Sequence, residues 1–260
     1  YGIDGLRLDV AYSLDEAFLR QLRRFTEGLK PEFVLVGETL HGDYNRWMNP
    51  DACHSVTNYE CYKGLYSSFN SANMHEIAYS LNRQFGSEQW CLYTGKHLLC
   101  FADNHDVSRI ATQLQDEHQL QALYGLLFAM PGVPCLYYGS EWGLQGDKRD
   151  GDPALRPALE RPEWNDLTGW ISKLARLHRS CSALCHGGYH NIQIQPKQLV
   201  FERRDERERV LVAVNADSRS AFVPFELGIG SGYNLMTGEQ TSFHGGAELP
   251  PDSCTYWKLD

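Results

Sequence analysis

The 260-residue sequence contains no apolar stretch approaching the ~20 residues of a membrane span, and no signal peptide is visible, so a bilayer is not an expected partner. Nor is there a cationic surplus. Twenty-four Lys and Arg face 33 Asp and Glu, a formal charge of -9, which argues against nucleic acid because phosphate binding rests on clustered basic residues. The eight cysteines (53, 61, 91, 100, 135, 181, 185 and 254) include no CxxC pair and no zinc-type spacing. They are expected to be reduced structural thiols, with no metal site, which favours a cytoplasmic setting. Repeats and low-complexity stretches are absent too. An apolar share of 42% and a charged share of 22% suit a folded chain of one large or two modest domains.

What the chain does have is three apolar, strand-forming runs that each end in a carboxylate. They are Gly5-Leu6-Arg7-Leu8-Asp9, Val36-Gly37-Glu38-Thr39 and Phe101-Ala102-Asp103-Asn104-His105-Asp106. A polar group that follows an apolar run lies where the strand leaves its core. Three such strands in one parallel barrel would bring Asp9, Glu38 and Asp106 to a single mouth. Cleavage of a glycosidic bond needs such a set, with one nucleophile and one proton donor.

Strand and helix signals alternate between these runs, the pattern of a parallel α/β architecture. Ser13 and Glu16 resemble a capping box, with Phe18, Leu22, Phe25 and Leu29 as the apolar face of the helix that follows. Asn73 and Glu76 suggest another helix start, with Ile77, Leu81 and Phe85 as its stripe and Gly86 as its cap. His97 to Phe101 and Pro134 to Tyr138 read as strands, and residues 118–130 and the region of Trp170, Leu174 and Leu177 as helices. Segments 40–72 and 140–165 are long and irregular. Beyond His186-Gly187-Gly188 the texture turns all-β, with alternation at Leu199 and Phe201, at Val210, Val212 and Val214, and at Phe222 and Phe225.

The three carboxylate runs, in this order, resemble three sequence blocks of the α-amylase superfamily. Arg7 two residues before Asp9, His105 beside Asp106, and Gly132-Val133-Pro134-Cys135-Leu136-Tyr137-Tyr138-Gly139 agree with it. The chain is most similar to bacterial maltodextrin-degrading amylases and to the neopullulanase and cyclomaltodextrinase group. The resemblance implies strands four to eight of a (β/α)8 barrel, residues 1–185, followed by a small antiparallel β-sandwich domain, residues 186–260. The first three strand-helix units of the family have no counterpart here, so the chain is expected to be the C-terminal portion of a longer protein.

The implied reaction is retaining hydrolysis of α-1,4 bonds in maltodextrins or starch. Asp9 would be the nucleophile, Glu38 the acid/base, and Asp106 the third acid that grips and distorts the sugar. Arg7 would hold Asp9 as a carboxylate, and His105 would bind a sugar hydroxyl. Trp47, Tyr59, Tyr62 and Trp142 are candidate stacking platforms, each also a candidate for ordinary packing. Arg109 is read equally as a loop anchor or a ligand. No cofactor is expected; calcium is possible in the full-length protein, although Gly146–Asp152 lacks the regular spacing of a calcium loop. Ala11-Tyr12-Ser13, where neopullulanase-like enzymes tend to have Ala-Asn-Glu, leaves the α-1,4 against α-1,6 preference open. The isolated 260 residues are expected to be inactive and to self-associate through exposed barrel edges. A transglycosylase or isomerase on the same scaffold, and a non-catalytic carbohydrate-binding relative, are the alternatives.

Overall fold

The computed structural model describes residues 2–259. Its first part runs β1 (Gly5–Leu8), α1 (Glu16–Leu29), β2 (Val34–Gly37), β3 (Ser55–Val56), α2 (Tyr59–Asn70), α3 (His75–Phe85) and β4 (Leu99–Phe101). It continues through α4 (Ile110–Gln113), α5 (Leu120–Ala129), β5 (Val133–Cys135), α6 (Asp152–Leu155), α7 (Asp166–Ser180) and α8 (Ser182–His186). Strands β1, β2 and β3 pair in parallel, as do β4 and β5. A parallel bridge from Thr57 to Leu99 links the two groups into one arc. Helices pack on its outside, and the arc is open, with β1 and β5 as unpaired edges among the described residues.

Local chemistry accounts for most boundaries. The Asp15 side chain caps α1 by accepting from the Phe18 amide at 2.9 Å. The helix therefore starts two residues later than Ser13 suggests, because Ser13 closes a tight turn over Ala11–Ser13. The apolar stripe read along α1 is also corrected. Leu19 and Thr26 are buried, whereas Phe18, Phe25 and Leu29 are exposed, since no described element covers that side. Helix α3 matches its expected stripe of Ile77, Leu81 and Phe85, all buried, and ends at Gly86. Met130-Pro131 stops α5, as the ring of Pro131 cannot continue the helical hydrogen bonds.

From Gly188 the chain forms antiparallel strands. These are β6 (Gly188–Ile194), β7 (Gln198–Arg204), β8 (Arg209–Asn215), β9 (Ala221–Pro224), β10 (Ser231–Asn234), β11 (Gln240–Ser242), β12 (Gly246–Leu249) and β13 (Ser253–Leu259). Six of them make one sheet in the order β11-β10-β13-β8-β7-β6, and β9 pairs with β12 as a separate ribbon. The result is lopsided. Leu211, Ala213, Trp257 and Leu259 pack under Val223, Ala247 and Leu249 of the ribbon. The opposite face, with Leu199, Phe201, Val212 and Tyr256, joins the core of the α/β part.

That shared core makes the two parts one packed body. Helix α5 lies on β13, and a Cβ at Gly125 would sit 2.3 Å from Cys254 Cβ. The eight cysteines are all free. No described helix is long and apolar enough to cross a membrane.

Two glycines give a paired test of this packing. Gly125→Ala is expected to lower stability by ~1–3 kcal/mol through overpacking against β13. Gly28→Ala, in α1 with nothing within 4 Å of the added methyl, is expected to raise it by ~1 kcal/mol through helix propensity. Urea unfolding of both variants checks the contrast.

Candidate active site

The register of β1 and β2 builds the first half of the site. Leu8 stands opposite Gly37, so Asp9 and Glu38 leave the sheet side by side. The Glu38 amide donates to the Leu8 carbonyl at 2.9 Å, which extends the pairing to the carboxylate itself. A side chain at Gly37 would meet Ala11 Cβ at 2.9 Å and Cys53 Sγ at 3.1 Å, so only glycine fits under the turn after Asp9.

Arg7 projects from β1 between the two acids. Its Nη1 donates to Asp9 Oδ1, and its Nη2 lies 3.2 Å from Glu38 Oε1. The other Glu38 oxygen accepts from the Val10 amide at 2.9 Å. Val10 holds a left-handed backbone at φ 47°, a costly conformation for a β-branched residue, and that turn aims its N–H at Glu38. The two acids differ sharply in exposure: the side chain of Asp9 is 74% exposed and that of Glu38 8%.

The second half comes from the loop after β4. Asn104 Oδ1 accepts from the Asp106 amide at 2.8 Å and fixes the turn. The Asp106 carboxylate takes Arg156 Nη2 at 2.9 Å and lies 3.1 Å from His105 Nε2. Tyr59, at the start of α2, joins the halves. Its hydroxyl accepts from Asn104 Nδ2 at 2.9 Å. Burial raises the pKa of this phenol, the Asn104 bond opposes that, and the charges of Glu38 and Asp106 raise it further against Arg7. One ring thus senses acids from two separate strand ends together with Arg7.

A buried polar layer supports the loops. Asp103 accepts from the Ile110 amide at 2.8 Å and from the Ser140 hydroxyl at 2.8 and 2.9 Å. Burial pushes its carboxyl above the usual range, while Ile110, Ser140 and the nearby Arg109 pull it down. Arg109 is fully buried and donates to the Tyr138 carbonyl at 2.6 Å, the Ser140 hydroxyl at 3.1 Å and the Leu155 carbonyl at 2.8 Å. Its guanidinium lies 4.0 Å from the Tyr137 ring centre. By holding Leu155 it fixes the backbone next to Arg156, so its role here is that of a loop anchor.

The candidate residues divide accordingly. Arg7, Asp9, Glu38, Tyr59, His105 and Asp106 come together at the carboxyl ends of the strands. Trp47 does not: it is 6% exposed and packed in the main core. Tyr62 is also buried, stacked on Phe101 and bonded to Gln113 Nε2 at 2.6 Å. Trp142 is half-buried, its carbonyl accepting from Asn165 Nδ2 at 3.0 Å at the start of α7.

Sequence reading missed Arg156, which lay inside the long irregular segment 140–165. The signal was Asp152-Pro153, where proline in the first turn opens the short helix α6 and places Arg156 one turn later, 3.8 Å from Asp152. The neighbouring acidic loop is ordered rather than free. Arg149 holds the Asp147 carboxyl down to about 2 and donates to it at 2.6 and 3.0 Å, with the Ser108 hydroxyl at 3.4 Å. A carboxylate so engaged does not fit a calcium ligand, and no group of three or more His, Cys, Asp and Glu suited to a metal occurs among the described residues.

With this geometry in view, comparison with known proteins is unambiguous about kinship. The profile of the family described as "Alpha amylase, catalytic domain" matches residues 1–166, and the chain belongs to that family. A cyclomaltodextrinase from Bacillus sp is 28% identical over 224 residues, covering 83% of this chain and 39% of that protein. A maltogenic alpha-amylase from Bacillus acidopullulyticus is 27% identical over 263 residues, covering 96% and 44%. The chain thus spans less than half the length of these curated relatives. Among solved structures, a cyclomaltodextrinase superposes with a TM-score of 0.86 at 24% identity, covering 100% of this chain and 46% of the other. An alpha-amylase from Anoxybacillus gives 0.85 at 24%, covering 99% and 59%. These likenesses establish the fold.

The buried layer yields a double-mutant test. Arg109→Met alone leaves the Tyr138 and Leu155 carbonyls and the Ser140 hydroxyl without their buried donor and is expected to cost ~3–5 kcal/mol in urea unfolding. Arg109→Met combined with Asp103→Asn is expected to cost less than the sum of the single changes, because the two charges are coupled.

Proposed function

We propose that the parent protein is a retaining glycosidase acting on α-1,4-linked glucans such as maltodextrins, with residues 1–185 as strands four to eight of its barrel. The observation that carries this reading is the placement of one guanidinium, Arg7, against both Asp9 and Glu38. That shared guanidinium makes Asp9 and Glu38 neighbours at one mouth, the pair of carboxyl groups that glycosidic cleavage needs, and the retaining course is the one the family resemblance implies. Family membership and the names of the relatives support the same substrate class.

In this mechanism Asp9, open to the cleft and ion-paired with Arg7, attacks the anomeric carbon. Glu38, buried beside it, protonates the departing glycosidic oxygen and then removes a proton from the incoming water. Asp106, held by Arg156 and His105, grips the ring hydroxyls of the sugar. Tyr59 supplies a half-enclosed aromatic wall between the acids. The exposure of Asp9 favours a second reading for these 260 residues taken alone: a sugar-binding surface whose chemistry is slow because the cleft stays open to water.

Incubation with maltoheptaose distinguishes the two. Release of shorter sugars is expected to fall by ~10²–10⁴-fold in Glu38→Gln. Turnover undiminished by Glu38→Gln or Asp9→Asn would overturn the assignment, and appearance of longer sugars would mark glycosyl transfer instead. A folded chain that binds maltoheptaose in calorimetry without cleaving it supports the sugar-binding reading for this portion.

The open arc carries a further expectation. Leu6 on β1 is exposed, as are Phe25 and Leu29 on α1 and Val34 on β2, and β5 exposes Val133, with Leu136 and Tyr138 just beyond it. Unpaired edges with apolar flanks template pairing with another chain. We therefore expect self-association that rises with concentration in light scattering, and a monodisperse monomer at high concentration would contradict it.

A further inference from the structure

Tyr59 is anchored before it reaches the acids. It is the first residue of α2, and Asn58, which caps that helix, is fully buried. The Asn58 backbone amide donates to the Leu99 carbonyl of β4 at 2.9 Å. Its side-chain Oδ1 accepts from the Cys61 amide at 3.1 Å, and its Nδ2 donates to Gln84 Oε1 of α3 at 2.8 Å. The start of α2 is therefore tied to β4 and α3 together. From there the Tyr59 ring stands edge-on to Phe101, at 4.9 Å and 77°, and to Tyr62, at 5.9 Å and 82°. Edge-to-face packing on two rings fixes the plane of the phenol, and with it the place of the hydroxyl.

Among the described residues that hydroxyl has one hydrogen-bond partner, Asn104 Nδ2 at 2.9 Å. The other end of the same amide, Oδ1, takes the Asp106 backbone N–H at 2.8 Å. The Asp106 N–H is a donor, so the amide oxygen must face it, and Nδ2 is left to face the phenol. An asparagine side chain held at one end alone still turns about its own torsions. Held at both ends it does not, and Tyr59 supplies the second hold.

The third acid needs this support more than the other two. Asp9 and Glu38 follow directly from paired strands, whereas Asp106 stands on a loop five residues beyond the end of β4. Its carboxylate partners are Arg156 and His105, and the three side chains are 35% to 43% exposed. Ion pairs this open to water are weak restraints. The backbone bond to Asn104, on the half-buried side of the loop, is the stronger one.

We propose that Tyr59 is a positioning residue for the third acid, acting through the Asn104 amide to fix the loop from which Asp106 grips the sugar. The helix start at Asn58, the phenol, the amide and the acid form one line of contacts, so α2 takes part in holding substrate through Asp106. Every link lies between residues 58 and 106, and the loop is set in this portion of the protein by itself. The link stands whether or not the chain acts on glucans; its effect on sugar rests on the glycosidase reading.

Amide hydrogen exchange of the whole chain, followed by NMR, tests the link without any sugar. Tyr59→Phe keeps the ring and removes the acceptor. It is expected to speed exchange at the Asp106 amide by about fivefold to tenfold, the weight of one hydrogen bond, and to leave the Glu38 amide unchanged. Asn104→Ala is expected to speed Asp106 at least as much. Tyr59→Phe added to Asn104→Ala is expected to change nothing further, since the phenol acts only through that amide. Unchanged exchange at Asp106 in Tyr59→Phe, an equal rise at Glu38, or additive effects of the two changes would overturn the proposal. Calorimetry with maltoheptaose on the Glu38→Gln chain reads the consequence for sugar. Tyr59→Phe is expected to weaken binding about threefold to tenfold there, and not at all when combined with Asp106→Asn. Binding that Tyr59→Phe leaves unchanged counts against the role in sugar grip. Exchange that responds as stated, in a chain that binds no maltoheptaose, shows that the glucan reading fails while the link holds.

Discussion

Two parallel strands in one particular register determine what the rest of the molecule must do. With Leu8 beside Gly37, two carboxylates emerge at neighbouring strand ends, and like charges that close repel unless a cation lies between them. Arg7 is that cation, and the strand alternation that points Asp9 toward the cleft points Arg7 the same way. Everything nearby follows from keeping this trio in place. Gly37 is small so that the turn after Asp9 can pass over it, and Val10 adopts a left-handed backbone so that its amide can reach Glu38.

The third acid is held by different means. Asp106 sits on a loop, so its position comes from hydrogen bonds rather than from strand pairing. Arg156 and Asn104 fix it directly, and Arg109 fixes Arg156 from beneath by holding the Leu155 carbonyl. The chain thus places one fully buried arginine under the loops at one end of the arc and another, Arg203, at the far end. Both bind backbone carbonyls, yet Arg109 lies near Asp103 whereas Arg203 has no carboxylate partner among the described residues.

The sequence displayed the three acids because an apolar run ending in a charge is a local signal, readable within five or six residues. Arg156 was hidden because its partner Asp106 is 50 residues away and its loop looks like ordinary polar connection. Trp47 looked available for the converse reason: a tryptophan in an Asn- and Tyr-rich segment gives no sign that it folds inward. The α1 stripe of Phe18, Phe25 and Leu29 was a correct periodicity with the wrong consequence, since burial depends on what lies opposite the helix. Strand β7 posed the reverse problem. Glu202 and Arg203 are charged neighbours that face opposite sides of the strand, yet both are buried because the sheet is covered on both faces.

The position of β13 in its sheet has a consequence for how the chain is made. This strand, residues 253–259, lies between β10 and β8 in the middle of the six-stranded sheet and also backs α5. During synthesis, therefore, β8 must wait, with one side bare, until nearly forty further residues have left the ribosome, and α5 until more than a hundred have. The arc can gather its own strands early, but its floor can be sealed only once Ser253–Leu259 arrives. Until then the nascent chain presents a wide apolar opening, which is the form in which a chaperone would meet it.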